Sequence, residues 1–334
     1  MTLPTRRIGD LEVSAIGLGC MNLSHGYGDP TPRNDAERLL LAALDHGVTF
    51  FDTAALYGFG ANEMLVGDVL ARHRKRFVLA SKCGLHGVDG KRVVDGRPKT
   101  LKWSCEQSLK RLQTDHIDLL YLHRWDQQVP IEDSVGAMSD LVREGKARFI
   151  GLSEVSARTL HRAHAVHPIA ALQTEYSLWS RNAEIAVLDA CREIGAAFVA
   201  FSPLARAFLT GTLRDPDTLA PKDLRRGMPR FQPDTYPINL KLLVDFEALA
   251  ADVGCTPAQL ALAWLLARGE HVVPIPGTTN VAHLHEDLGA VDVELTPTQV
   301  ERADRIINQR TVVGPRYDAA SQSQVDTERF EERG

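Results

Sequence analysis

The chain is 334 residues long, a length at which α/β barrels with one core are common, so length does not require two domains. Hydrophobic residues make up 44% and charged residues 24%, a balance that supports a buried core. The formal net charge of -5 gives no reason to expect nucleic acid or an anionic membrane as a partner, because both require a concentrated basic surface. We expect a small-molecule partner, and the sequence carries no signal for the oligomeric state.

The cysteines predict a reducing compartment. They are odd in number and include no C-x-x-C pair, which favours free thiols over a disulfide framework or a zinc site. They are Cys20, Cys83, Cys105, Cys191 and Cys255. No apolar run follows the basic residues near the start, and no stretch approaches the roughly 18 apolar residues of a membrane span. We expect a cytoplasmic protein.

Short apolar runs alternate with amphipathic helical stretches along most of the chain. A hairpin is predicted over residues 6–13, with its turn at Gly9-Asp10, and we expect it to form a lid over the site. Eight strands, each followed by a helical segment, are predicted at 15–18, 49–51, 78–81, 119–122, 149–152, 171–174, 198–201 and 272–275.

Three helices have clear end signals. Thr256 and Thr296 each precede a proline and stand three residues before a glutamine, the pattern of a capping box. Apolar residues recur at helical spacing between Pro130 and Gly145, and Gly145 can end that helix in a left-handed conformation.

Repeated strand–helix units predict parallel strands, in either an open doubly wound sheet or a closed barrel of eight. The number of units favours a (β/α)8 TIM barrel with the hairpin and additional helices. The doubly wound alternative is weakened because the segment from Gly17 to Asn22 lacks the third glycine of a dinucleotide fingerprint. We expect one barrel domain over 1–334, with a core of about 15–308 and a C-terminal extension over 309–334.

Two segments interrupt the alternation. The first, 212–237, is rich in Pro, Asp and Arg and is expected to form a loop over the site. The second, 311–334, is polar and charged, and it is either a packed extension or disordered.

Polar side chains at the ends of the predicted strands are the first candidates for chemistry, because the carboxyl ends of barrel strands face the active site. Asp52, Lys82, His123 and Gln173 occupy such positions, and Tyr57 follows Asp52 in the same loop. Each alone has an ordinary structural explanation, such as a helix cap or a buried histidine with its hydrogen bonds satisfied. Together they form a polar acid–base set at one rim, which favours a catalytic site.

The motifs around these residues resemble the aldo-keto reductase superfamily, in particular the group related to the potassium-channel β-subunits. The resemblance covers roughly residues 5–308. The matching segments, in the order of the family, are Ala15 to Met21, Phe51-Asp52-Thr53-Ala54 with Tyr57-Gly58, Ile117-Asp118-Leu119 with His123, Glu144-Gly145-Lys146 before Ile150 to Ser153, Gln173, Phe201-Ser202-Pro203-Leu204 and Pro274 to Thr278.

The resemblance implies a barrel, a nicotinamide cofactor and reduction of an aldehyde or ketone, with Asp52, Tyr57, Lys82 and His123 at the catalytic positions. Physical chemistry agrees, since a carbonyl that accepts hydride becomes an alkoxide and needs a proton donor and a positive field. Tyr57 is expected to give the proton and Lys82 to favour the ionised phenol. Asp52 is expected to orient Lys82, and His123 to aim the carbonyl.

The resemblance also implies the cofactor contacts. Phe201 is expected to stack on the nicotinamide, Gln173 and Ser153 to bind its carboxamide, and Glu154, where many relatives have asparagine, to accept from it. The complete set is Gly19, Cys20, Met21, Asp52, Ser153, Glu154, Gln173, Phe201, Ser202, Pro203, Leu204, Gly277, Thr278, Thr279, Asn280, His283, Glu286 and Asp287.

The resemblance favours NADPH, with NADH as the alternative. Segment 277–280 is expected to bind phosphate through backbone N–H groups and a helix dipole, although it also fits a plain helix cap. Relatives place Lys or Arg at the positions of Gly277 and His283, and asparagine at that of Asp287.

Other functions compete with the reductase. A nucleotide-binding redox sensor or interaction subunit would use the same fold with little turnover. A metal-dependent barrel hydrolase is disfavoured: His161, His164 and His167 spread over a wide arc of a helix, and no ligand set is predicted. We expect substrate choice to depend on the hairpin, the 212–237 loop, the tail, Trp125 and Trp179. The two tryptophans fit ordinary packing equally well.

Overall fold

The computed structural model describes residues 3–24, 26–88 and 90–330. The last four residues of the predicted extension lie outside the described residues. The strands, in chain order, are β1 (Thr5–Ile8), β2 (Leu11–Ser14), β3 (Leu18–Gly19), β4 (Phe50–Asp52), β5 (Val78–Cys83), β6 (Leu85–Val88), β7 (Lys91–Val94), β8 (Ile117–Leu122), β9 (Ala147–Ser153), β10 (Ala171–Glu175), β11 (Ala197–Phe201) and β12 (Val272–Pro274).

The helices surround the sheet and follow its strands. They are α1 (Arg33–Asp45), α2 (Ala61–Leu70), α3 (Pro98–Leu112), α4 (Ile131–Arg143), α5 (Ala157–Val166), α6 (Val187–Ile194), α7 (Tyr236–Leu240), α8 (Leu242–Val253), α9 (Pro257–Leu266), α10 (Val281–Leu288), α11 (Pro297–Ile306) and α12 (Ala319–Gln322). Both predicted capping boxes are present at the starts of α9 and α11. Gly145, with φ of 73°, follows α4 as expected.

Eight parallel strands form the central sheet, in the order β12-β11-β10-β9-β8-β5-β4-β3. Backbone hydrogen bonds from Gly17 N to Pro274 O and from Gly19 N to Pro276 O, both 3.0 Å, join the two ends of this sheet. The (β/α)8 barrel prediction is therefore confirmed. The first strand is shorter than predicted, because Ala15 N bonds instead to Pro4 O beside the hairpin.

The N-terminal hairpin does not cover the site, and its predicted role as a lid is wrong. Ile8 and Val13 of β1 and β2 are fully buried against the barrel interior, in a cluster with Phe50 and Leu119. The Arg6 guanidinium donates to the carbonyl oxygen of Gly269, just before β12 begins, at 2.7 Å. The hairpin thus closes the amino-terminal end of the barrel, opposite the strand ends that carry the polar residues.

A second hairpin, formed by β6 and β7, was not predicted from the sequence. It follows β5 directly, and its strands pair antiparallel from Leu85 with Val94 to Val88 with Lys91. Because it leaves the carboxyl end of β5, it stands at the rim where the polar residues collect.

The tail packs against the barrel over its described part. Asp326 accepts hydrogen bonds from the hydroxyls of Ser156 and Thr159, at 2.9 and 2.6 Å, beside the start of α5. Of the two alternatives for this segment, the packed extension is the one observed.

Within the described ranges no single helix is long and apolar enough to cross a bilayer. The segments Tyr236–Val253 and Pro257–Leu266 reach that length and apolar character only when they are taken together, and the chain bends by 79° between them.

The position of the hairpin leads to a testable expectation. Replacing fully buried Ile8 by alanine should lower the free energy of unfolding by about 2–5 kcal/mol, because a cavity forms in the barrel floor. Urea unfolding measures this change, and exposed Glu12→Ala on the same hairpin is the control. A rise in KM with little loss of stability would instead support a role of the hairpin as a lid.

Candidate active site

The polar residues predicted from strand ends meet at one end of the barrel. Asp52 is the last residue of β4, Lys82 lies near the end of β5, and His123 follows β8 directly. Tyr57 begins a short 3-10 helix (Tyr57–Gly60) after β4. The closed sheet therefore converts residues up to 71 positions apart in sequence (52 to 123) into neighbours at one rim.

Lys82 is the centre of this group. Its side chain is 0% exposed, and its ammonium forms an ion pair with Asp52. The same Nζ donates to the carbonyl oxygen of Thr53 at 3.0 Å and lies 3.1 Å from the Tyr57 hydroxyl. Three partners therefore surround a charge that has no access to water.

Asp52 is held on its other side by Gln173, whose Nε2 donates to Oδ2 at 2.8 Å. Gln173 was assigned to a carboxamide from the resemblance, and the structure shows that its amide nitrogen also binds the carboxylate. One Asp52 oxygen thus faces Lys82 and the other faces Gln173, which fixes the orientation of the carboxylate.

The protonation states follow from burial and from these contacts. Burial raises the pKa of Tyr57, and the neighbouring Lys82 ammonium offsets only part of that increase. Burial opposes the charge on Lys82, but Asp52 and Tyr57 together outweigh it and raise the pKa of the ammonium. Lys82 is therefore charged and Tyr57 keeps its proton at neutral pH, which is the state of an acid ready to donate.

His123 stands beside the phenol. The Tyr57 and His123 rings meet edge to face, with centroids 5.8 Å apart and an interplanar angle of 86°. The carbonyl oxygen of His123 accepts a hydrogen bond from Arg124 Nη1 at 2.6 Å. The imidazole and the phenol thus line the same part of the site.

A cavity of about 1160 Å³ opens in front of these residues. Asp52, Tyr57 and His123 form part of its wall, while Lys82 stands behind them. The 212–237 segment supplies Lys222 and Arg225 to the wall, as expected for a loop over the site. The tail adds Tyr317, Asp318, Ser321 and Val325.

Most of the predicted cofactor contacts lie on the wall of this one cavity. They are Gly19, Met21, Asp52, Ser153, Gln173, Phe201, Ser202, Pro203, Leu204, Gly277, Thr278, Thr279, His283, Glu286 and Asp287. Three others do not line it. Cys20 is fully buried behind the wall, Asn280 caps α10 by accepting from Ala282 N at 2.7 Å, and Glu154 is engaged elsewhere.

Glu154 faces the tail. Its carboxylate forms a buried ion pair with Arg316, and its Oε1 accepts from the Glu175 N–H at 2.9 Å. Because both oxygens are already bound by protein groups away from the cavity, the expected acceptor role toward a carboxamide is corrected to a structural one. Glu154, at the position where many relatives have asparagine, is thus paired with an arginine that the tail supplies.

Several wall residues were missed by reasoning from the sequence. They are Arg92 from β7, Arg124 after His123, and Arg206 after β11, whose Nη2 pairs with buried Glu175 at 3.0 Å. Arg124 had a visible signal, because it directly follows a strand-end histidine. Arg92 had none, because the β6–β7 hairpin was not predicted.

The two tryptophans considered for substrate choice do not line the cavity. Trp179 stacks on Phe208 with ring centroids 4.1 Å apart, and Trp125 Nε1 donates to Val129 O at 2.9 Å. Both are packing residues.

No group of three or more metal-ligating side chains occurs in the described parts of the chain. His161 and His164 lie on α5, where His161 is 3.5 Å from Glu193, and His164 accepts from the Ile169 N–H. These two imidazoles thus have different partners.

The far end of the cavity contains two acids. Asp287, 3% exposed, lines it together with Glu286. Burial, reinforced by the charge of Glu286, raises the pKa of Asp287 to about 8.

Comparisons with known proteins show the family of this chain. The aldo/keto reductase family model matches residues 15–308. The chain belongs to the aldo/keto reductase family. An aldo-keto reductase of Schizosaccharomyces pombe, named for NADP(+), is 41% identical over 332 residues, covering 97% of each chain.

Solved structures of the family superpose on most of the chain. A glycerol dehydrogenase from Gluconobacter oxydans, 31% identical, gives a TM-score of 0.83 and covers 90% of this chain and 94% of its own. An aldo/keto reductase from Klebsiella pneumoniae in complex with NADP and acetate is 30% identical. Its TM-score is 0.71, and the match covers 95% of this chain and 99% of that chain. Membership of this family thus accounts for the barrel fold.

The raised pKa of Asp287 predicts how stability depends on pH. The folded protein keeps this proton up to about pH 8, whereas the unfolded chain releases it near 4, so the folded state loses stability as pH rises between those values. Asp287→Asn should remove that loss and raise Tm by at least about 2 °C at pH 8.5, with a smaller gain at pH 5. Thermal unfolding at both pH values is the measurement, with exposed Asp292→Asn as control. A gain that is equal at the two pH values would contradict the assignment.

Proposed function

We propose that this protein reduces an aldehyde or ketone to an alcohol with NADPH, and that Tyr57 is the proton donor. The observation that carries the proposal is the buried chain Asp52–Lys82–Tyr57, which opens onto a large cavity through the phenol. A lysine held charged within 3.1 Å of a protonated phenol is the arrangement needed to stabilise an oxygen that gains negative charge.

The residues of the cavity fit a dinucleotide. Its volume of about 1160 Å³ exceeds the roughly 300–1,000 Å³ of ordinary ligand pockets, which leaves room for a cofactor and a substrate together. Half-buried Phe201 offers an aromatic face for the nicotinamide, with Ser153 and Gln173 as polar partners. At the other end, Thr278 and Thr279 lie before the first turn of α10, whose N–H groups favour a phosphate.

NADPH, when bound, supplies the hydride. Tyr57 then gives its proton to the carbonyl oxygen, and Lys82 lowers the energy of the phenolate that remains. Asp52 keeps the ammonium in place, and His123 orients the carbonyl from the side of the phenol. Tyr57, His123 and Asp52 line the same cavity, and Lys82 acts from directly behind them.

The preference for NADPH rests on relatives, since the S. pombe protein is named for NADP(+) and K. pneumoniae structures contain NADP or NADPH. Within the wall contributed by residues 275–287, His283 is the only side chain that can carry a positive charge. Exposed Lys222, from the loop across the cavity, is the cation we assign to the cofactor phosphates, because the guanidinium of Arg225 is paired with Asp223.

A cytoplasmic location is also part of the proposal. All five cysteines are free, and four of them are buried, as expected for a protein kept in a reducing compartment.

Steady-state oxidation of NADPH with a panel of aldehydes and ketones tests the function. Tyr57→Phe should lower kcat by about 100- to 10,000-fold, because the proton donor is lost while the ring remains. The affinity for NADPH, measured by fluorescence titration, should be unchanged. A sensor with little turnover would show no difference between the wild type and this variant.

Tyr236→Phe is the matched control, because it removes one buried tyrosine hydroxyl that bonds to Leu213 O at 2.7 Å, outside the cavity. Its kcat should equal that of the wild type. Retention of full kcat by Tyr57→Phe would overturn the assignment of the acid.

A further inference from the structure

Arg124 differs from the other deeply buried arginines of the described chain. Arg124, Arg181 and Arg316 are each 7% exposed. Arg181 pairs with Glu184 at 2.5 Å, and Arg316 pairs with Glu154. Arg124 has no carboxylate at ion-pair distance among the residues described. A buried cation without a counter-ion is costly, so an arginine kept in this state calls for an explanation.

The hydrogen bonds of Arg124 leave part of its guanidinium unused. Nη1 donates to His123 O at 2.6 Å and to Ser153 Oγ at 3.2 Å. Among the described residues, Nε is buried without an acceptor, and Nη2 makes no hydrogen bond. A guanidinium carries five N–H donors, and the two hydrogen bonds of Arg124 both come from Nη1. Because Arg124 lines the cavity, its remaining N–H groups are available to a ligand there.

A second arginine reinforces this positive region. Arg92, on the exposed rim, lines the same cavity. Burial of part of its side chain, and then the charge of Arg124, lower the pKa of Arg92, whereas the groups that raise it are the phenols of Tyr317 and Tyr57. No acidic side chain is among these neighbours, and within the described residues neither Arg92 nor Arg124 forms an ion pair.

We propose that Arg124 and Arg92 bind a carboxylate carried by the substrate, so that the preferred substrates are aldehydes or ketones that are also carboxylic acids. A planar carboxylate matches the geometry of a guanidinium and supplies the missing negative charge. Because Arg124 adjoins His123 in sequence, the bound carboxylate would fix the position of the carbonyl beside Tyr57. This inference rests on the proposed reductase function and specifies its substrate class.

A competing role for Arg124 is a purely electrostatic one. Its charge acts against the effect of burial on the pKa of Tyr57, and this effect alone could explain a cation here. The two roles differ in what they predict, because a field at Tyr57 affects every substrate equally, whereas an anion site affects only substrates that carry a carboxylate.

Matched substrates separate the roles. We would measure NADPH oxidation with 3- and 4-carboxybenzaldehyde and with their methyl esters, in the wild type and in Arg124→Gln, Arg124→Lys and Arg92→Gln. The ratio of kcat/KM for acid over ester should be about 10- to 100-fold in the wild type for the better isomer, the range of a charge-assisted hydrogen bond. Arg124→Gln should bring this ratio close to one through KM for the acid, and Arg124→Lys should keep part of it.

Arg92→Gln, at the exposed rim, should lower the ratio about threefold, and it tests the proposal even if Arg124→Gln does not fold. Arg7→Gln, on the hairpin at the opposite end of the barrel, removes the same charge and should leave the ratio unchanged. A wild-type ratio near one, an equal loss for acid and ester in Arg124→Gln, or weaker NADPH binding as its only defect would overturn the carboxylate site. Tyr57-dependent turnover of the esters would still uphold the proposed function in each of these cases.

Discussion

The ion pair between Lys82 and Asp52 is the constraint on which the rest of the site depends. A fully buried ammonium is tolerated only when its lost hydration is replaced, and here Asp52, the Thr53 carbonyl and the Tyr57 hydroxyl replace it. Removing Asp52 would leave the ammonium without a counter-charge inside the barrel. The same contacts that stabilise the charge also place it against the phenol, so stability and chemistry share one set of atoms.

The register between β4 and β5 brings Asp52 and Lys82 together. Asp52 stands opposite Ala80 in the parallel pairing of β4 and β5, and Lys82 follows two residues later on the same face. The intervening Ser81 points the other way, where its hydroxyl donates to buried Glu63 at 2.5 Å. A slip of one residue would exchange these faces and separate Lys82 from Asp52.

A second set of buried charges connects the barrel to its variable parts. Glu154 follows β9 and holds Arg316 of the tail, while Glu175 ends β10 and holds Arg206 of the loop after β11. Both acids lie at strand ends and do not line the cavity, and through them the segments that complete its wall are attached to the barrel. Of the described residues that line the cavity, Arg124 is the deeply buried cation without such an acid, and this difference is the basis for assigning it a ligand.

The sequence by itself determined the barrel strands, the capped helices and the strand-end residues Asp52, Lys82, His123 and Gln173, with Tyr57 in the loop after Asp52. These follow from local patterns: apolar periodicity, capping boxes, and polar groups directly after apolar runs. Repetition of the strand–helix unit was sufficient to favour the closed barrel, since parallel strands with right-handed crossovers admit few arrangements.

Only the tertiary structure decided which end of the barrel each added segment covers and which charges pair. The first hairpin has the alternation of an ordinary ribbon, and only its packing on Phe50 and Leu119 shows that it closes the floor. Glu154 and Arg316 are 162 positions apart, and no local pattern connects them. Side-chain pairing across such separations depends on the closed barrel, because the chain must fold before either charge loses its water and requires the other.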